Sequence, residues 1–117
     1  MRKLIFATFM TMLCVGTLVA KPKFKSIDND GNATSIVIVD NNAGDSMSVS
    51  SAVFHNLGKS FMANAMRSNL ENGVAKITME FKRCTEFSNC YVVLIINGEK
   101  VRVNVPVGGV VKSGKVQ

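Results

Sequence analysis

A chain of 117 residues holds one small domain and leaves little room for a deep pocket. Its formal charge of +6 is a mild basic surplus, spread as single Lys and Arg residues and small pairs, with no Trp and one Tyr. A nucleic-acid binder would show a basic stripe interleaved with aromatics, so no nucleic-acid partner is expected.

Met1-Arg2-Lys3 is a basic start, Leu4 to Val19 is almost wholly apolar, and Ala20 precedes Lys21-Pro22. That is the layout of a secretory signal peptide over residues 1–20, and it predicts a periplasmic or secreted product. Two alternatives stand beside it. Leu18 is a poor match to the small residue wanted three before the cut, and Lys21, Lys23 and Lys25 follow closely. An uncleaved N-terminal membrane anchor is therefore one alternative. Lipoprotein processing at Cys14 is the other, although Thr11-Met12-Leu13 lacks the small residues it needs. Cleavage would leave the 97 residues from Lys21 to Gln117 and lower the charge to +4 by removing Arg2 and Lys3. One domain is expected over residues 21–109, with a flexible tail over 110–117.

Lys23-Phe24-Lys25-Ser26-Ile27 alternates charged and apolar residues and predicts an edge strand. Asp28 to Asn32 is dense in turn formers, and Ile36-Val37-Ile38-Val39 is β-branched throughout, so the two segments predict a hairpin. Asn41 to Asp45 predicts the next turn, and Ser46-Met47-Ser48-Val49-Ser50 a third strand.

The period then changes. Phe54, Leu57, Phe61 and Ala65 recur at three- and four-residue steps, with Val53, Met62 and Met66 widening the stripe. This predicts an amphipathic helix capped by Ser50 or Ser51 and ended by Asn72-Gly73. Ala75, Ile77, Met79 and Phe81 alternate with Lys76, Thr78, Glu80 and Lys82, which predicts a half-buried antiparallel strand. Tyr91 to Ile96 is apolar on both faces and predicts a central strand. Asn97-Gly98 predicts a hairpin onto Val101, Val103 and Val105. The expected fold class is α+β: a curved antiparallel sheet of about five to six strands, in the order β-β-β-α-β-β-β, packed by one helix.

Cys84 and Cys90 remain once Cys14 has left with the leader. Two cysteines in a small exported chain predict one disulfide, here closing a loop of five residues. The spacing is wrong for a redox Cys-x-x-Cys, and with one histidine there are too few ligands for zinc. Asp28-x-Asp30-Gly31-Asn32 is faintly like a calcium loop, but the twelfth position holds Val39 where a bidentate acid is needed. No metal and no cofactor are expected. Asn32-Ala33-Thr34 is a formal glycosylation acceptor, relevant only in a eukaryotic host.

His55 is the only conventional base, with serines at positions 50, 51 and 60. Neither an orienting acid nor an oxyanion site accompanies it, so no enzyme is expected and a small hydrolase stays a minor alternative. The cysteine loop carries the candidate contact residues. Phe87 sits at its middle beside Glu86, with Lys82 and Arg83 just before it. Held outward, Phe87 would be a contact residue among charged neighbours. Its alternative is to fold back onto the sheet edge.

The run from Ser51 through Ile96 has the order helix, Asn72-Gly73, alternating strand, cysteine, short loop, apolar strand. In that order it resembles the second half of the small oligosaccharide-binding barrels that serve as receptor-binding subunits of bacterial toxins. The resemblance implies a ring of subunits that binds sugars. The leading expectation is different: an exported, non-enzymatic protein that works through a protein partner in the envelope or outside the cell, such as an inhibitor, immunity or envelope-interaction factor. Glycan or another anionic surface is the alternative partner, and a membrane only if the leader is retained.

Overall fold

A computed structural model describes residues 22–30, 32–43, 47–111 and 114–115. The expected signal peptide lies outside the described residues. What is described is all-β, with eleven strands: β1 (Lys23–Asp30), β2 (Ala33–Asp40), β3 (Val49–Asn56), β4 (Lys59–Met62), β5 (Ala65–Glu71), β6 (Val74–Lys82), β7 (Glu86–Phe87), β8 (Cys90–Ile96), β9 (Glu99–Val105), β10 (Gly109–Val110) and β11 (Gly114–Lys115). Sheet I runs β11-β1-β2-β6-β5 and sheet II runs β4-β3-β8-β9, while β7 and β10 form a small pair of their own. All pairings are antiparallel.

Four hairpins build the two sheets. β1-β2 and β5-β6 join through β2 and β6 to make sheet I, and β3-β4 and β8-β9 join through β3 and β8 to make sheet II. The chain therefore changes sheet after every hairpin. Between β4 and β5 the change takes two residues: Ala63 still donates to the Ala52 carbonyl of sheet II, while Asn64 already donates to the Glu80 carbonyl of sheet I.

Period-two alternation turns one face of each strand inward. Ile36 and Ile38 of β2 and Ile77, Met79 and Phe81 of β6 meet Ala52 and Phe54 of β3 and Val92, Leu94 and Ile96 of β8 in one core between the sheets. Phe54 and Phe81 touch across that gap with ring centroids 5.4 Å apart. Each fully buried side chain of this size contributes about 1.5–3 kcal/mol.

The expected helix is absent, and with it the α+β class. Its residues form β3, β4 and β5. Leu57-Gly58 is a two-residue turn, and such a turn sets residues seven apart opposite one another: Phe54 pairs with Phe61, ring centroids 6.4 Å apart. Seven residues is also two turns of an α-helix, so the apolar spacing fitted both structures. Asn72-Gly73 closes the β5-β6 hairpin with both residues at positive φ (54° and 77°) and is not a helix cap. The toxin-subunit resemblance rested on an element order containing that helix and loses its basis. Of the stretch expected as a loose tail, β10 pairs with β7 and β11 with β1.

Leu57 (φ 57°) and Gly58 (φ 75°) match the left-handed backbone of Asn72-Gly73 and of Asn97-Gly98 (φ 51° and 84°). Leucine is poorly suited to that conformation, and Leu57 is 44% exposed. Leu57→Asn should therefore stabilise the domain by about 1 kcal/mol, read as a higher denaturant midpoint at unchanged slope.

Candidate functional site

Two surfaces hold the residues that could do chemistry: the crossover from β6 to β8, which contains both cysteines, and the outer face of sheet II.

The crossover is held by two buried asparagines. On the sheet I side, Asn29 donates from Nδ2 to the carbonyls of Cys84 and Val111, each at 2.8 Å, and its Oδ1 accepts from the Thr34 hydroxyl at 2.6 Å. Thr34 in turn accepts from the Cys84 backbone N–H at 2.8 Å. On the sheet II side, Asn56 donates to the Glu86 carbonyl at 2.8 Å and its Oδ1 accepts from the Ser88 N–H at 3.0 Å. The Cys90 thiol donates to the same oxygen at 3.1 Å.

No disulfide forms, contrary to the sequence expectation. Both cysteines are free thiols, Cys84 half-buried and Cys90 buried. The loop between them is the passage from one sheet to the other: Cys84 is tied to Asn29 and Thr34 of sheet I, and Cys90 opens β8 in sheet II. The two thiols are turned to different partners: the Cys84 thiol donates to the Lys82 carbonyl at 3.4 Å and the Cys90 thiol to Asn56 Oδ1 at 3.1 Å. Phe87 is also corrected. It is not held outward but is 2% exposed, inside the core with Val103 and Val105. Lys82 and Glu86 are exposed and Arg83 is half-buried, so the four expected contact residues do not form one surface with an aromatic at its centre.

The outer face of sheet II carries an arrangement that the sequence did not single out. Cross-strand pairing places Ser60, His55, Tyr91 and Asn104 in one row, and Met62, Val53, Val93 and Arg102 in the next. The His55 and Tyr91 rings stack at 4.4 Å with planes 11° apart. The Arg102 guanidinium lies 3.8 Å from the Tyr91 ring centroid, and its Nε reaches Asn104 Oδ1 at 3.4 Å. Tyr91 is thus flanked by an imidazole and a guanidinium supplied by the two neighbouring strands. Val53, Val93 and Ile95 are half-buried on this face, and Met62 is 71% exposed. Beside the stack, Asn89, Tyr91, Arg102, Asn104 and Pro106 line a shallow cleft of about 530 Å³.

Of the three serines, His55 meets Ser60: Ser60 Oγ and His55 Nδ1 are 3.1 Å apart across the β3-β4 hairpin. The distance suits a nucleophile and its base, and the pair stands on the open outer face of sheet II at its β4 edge. Among the described residues no three His, Cys, Asp or Glu side chains gather as metal ligands would.

These features define a small antiparallel β-sandwich with a stacked aromatic and basic outer face. The chain belongs to the family described as a domain of unknown function (DUF8177), which matches residues 23–107. The match opens on the first residue of β1 and closes two residues beyond β9, so β1 to β9 lie inside it and β10 and β11 beyond it. No curated protein and no solved structure matches the chain.

Burial pushes the Cys90 thiol above the ordinary thiol value; the nearby Cys84 adds to this and a hydrogen bond with the Ser88 backbone opposes it. A raised folded-state pKa means that the thiol's contribution to stability is fully present below the unfolded value and is lost as pH rises through the folded value. Two results should follow. In the folded protein Cys84 should be alkylated before Cys90, and unfolding should remove the difference. Cys90→Ala should flatten the loss of stability at alkaline pH, followed by denaturant midpoints across the thiol range. Asn56→Ala strands the Ser88 N–H and the Glu86 carbonyl and should cost about 1–3 kcal/mol, with faster hydrogen exchange at Ser88.

Proposed function

We propose that this chain is an exported, non-enzymatic protein that works by binding another protein, as an inhibitor, immunity or envelope-interaction factor does. Its contact surface is the outer face of sheet II. Export is supported by the basic start, the apolar run from Leu4 to Val19 and the small residue Ala20.

The observation that carries the binding role is the ladder of His55, Tyr91 and Arg102 across three strands. Tyrosine and arginine are enriched among the residues that dominate the energetics of protein interfaces: tyrosine buries a large area while fixing only two torsions, and arginine brings a planar, weakly hydrated cation. Here Tyr91 is already ordered by the groups on either side, so little of that ordering remains to be done on association. The patch beside it, Val53, Val93, Ile95 and Met62, is apolar and accessible, with Arg102 and Lys100 along its β9 side. The complementary surface is a protein face that presents apolar side chains next to carboxylates.

Capture of envelope proteins with the mature chain as bait tests the assignment. A partner held by the native chain should be released by Tyr91→Ala and by Arg102→Glu, each weakening binding by about 30-fold or more, the scale of an interface hot spot. Lys82→Ala and Glu86→Ala should leave it bound. If the same partner survives both sheet II variants, or none is captured by the native chain, the proposal fails.

A further inference from the structure

β5 is the last strand of sheet I. It pairs with β6 along seven residues, and among the described residues nothing pairs with its other side. A row of open backbone N–H and C=O groups is a template for another strand, and proteins usually blunt it with lysine, proline, a bulge or shortness. β5 reads Ala65-Met66-Arg67-Ser68-Asn69-Leu70-Glu71, with neither lysine nor proline, and its register with β6 runs without a shift. The other edges are blunted. β4 has four residues and begins with Lys59; β1 has a register shift around Lys25 and β11 over its far end. β9 carries Lys100 and Arg102 and runs into Pro106.

The sequence of β5 is also complementary to itself. Set antiparallel to a second copy about a two-fold axis at Ser68, Met66 falls opposite the partner's Leu70, and Leu70 opposite the partner's Met66. Both side chains lie on the inner face, opposite Met79 and Ala75 of β6, and both are only half-buried in the single chain. On the outer face Arg67 stands diagonal to the partner's Glu71, and the symmetry makes that pair twice. Diagonal neighbours in a sheet are within reach of long side chains. The same operation on β9, centred on Arg102, would set Arg102 against the partner's Arg102.

We infer that β5 is a homodimer interface, through which two copies join edge to edge about a two-fold axis and continue sheet I across the pair. The occupant is a second copy of this chain. The surface is separate from the outer face of sheet II, which stays open in the dimer.

Sedimentation of the mature chain tests this. The native protein is expected at dimer mass, and Arg67→Glu, which turns both diagonal pairs repulsive, at monomer mass with an unchanged circular dichroism spectrum. Combining Arg67→Glu with Glu71→Arg reverses both charges and is expected to restore the dimer. Tyr91→Ala should remain dimeric, which separates this interface from the partner-binding face. A native protein that is monomeric at its highest soluble concentration overturns the inference. So does a dimer indifferent to Arg67→Glu, or a double variant that stays monomeric.

Discussion

The contact of Phe54 with Phe81 across the gap between the sheets is the interaction on which the rest depends. Each sheet has one inward apolar face, and neither can bury it alone. The order of the hairpins makes this mutual. Each of the first three is followed in sequence by one that belongs to the opposite sheet, so no contiguous stretch of chain completes a sheet or a core. Packing between sheets and pairing within them must form together, because the pairings that close each sheet, β2 with β6 and β3 with β8, are distant in sequence.

Passing between sheets brings irregular backbone close to the core, where unpaired polar groups are costly. Two asparagines meet that demand. Asn29 and Thr34 pair the Cys84 N–H and carbonyl and reach the Val111 carbonyl, while Asn56 on the other sheet pairs the Glu86 carbonyl and the Ser88 N–H. Phe87 is carried inward as part of the same arrangement, pinned between two segments whose polar groups are paired. The cysteines are parts of this crossover, each tied to a different sheet, and their thiols face the Lys82 carbonyl and Asn56 Oδ1 rather than each other. The inference from export to disulfide took account of the compartment but not of how the crossover orients the two side chains.

Local signals were legible where one residue pattern has one structural solution. The alternation of β6 and the hairpin across Asn97-Gly98 follow from period and turn chemistry alone; β1 does pair with β2, but Asp28 to Asp30, expected in the turn, are strand residues opposite Ser35 to Ala33. Local signals misled between residues 51 and 72, where a two-residue hairpin and a helix share the seven-residue spacing of Phe54 and Phe61. Leucine at Leu57 concealed the turn, since it is a poor residue for a left-handed backbone. Asn72-Gly73 fits a helix end and a hairpin equally well, and only the strand ahead of it decides which.

The candidate face divides along the same line. The Asn97-Gly98 turn sets Tyr91 opposite Asn104 and Val93 opposite Arg102, so the neighbourhood of Tyr91 and Arg102 could be counted out along the chain. His55 could not be placed there, because it reaches Tyr91 only through the pairing of β3 with β8. By itself the sequence determined the Asn97-Gly98 turn, the inward alternation of β6 and the short-range register of β8 with β9, since these depend on backbone geometry within a few residues. The tertiary structure alone decided which strands became neighbours, that Phe87 would be core, that the thiols would stay apart, and that an imidazole would complete the stack. Each of these depends on which surfaces two sheets bury against one another, a choice made between residues far apart along the chain.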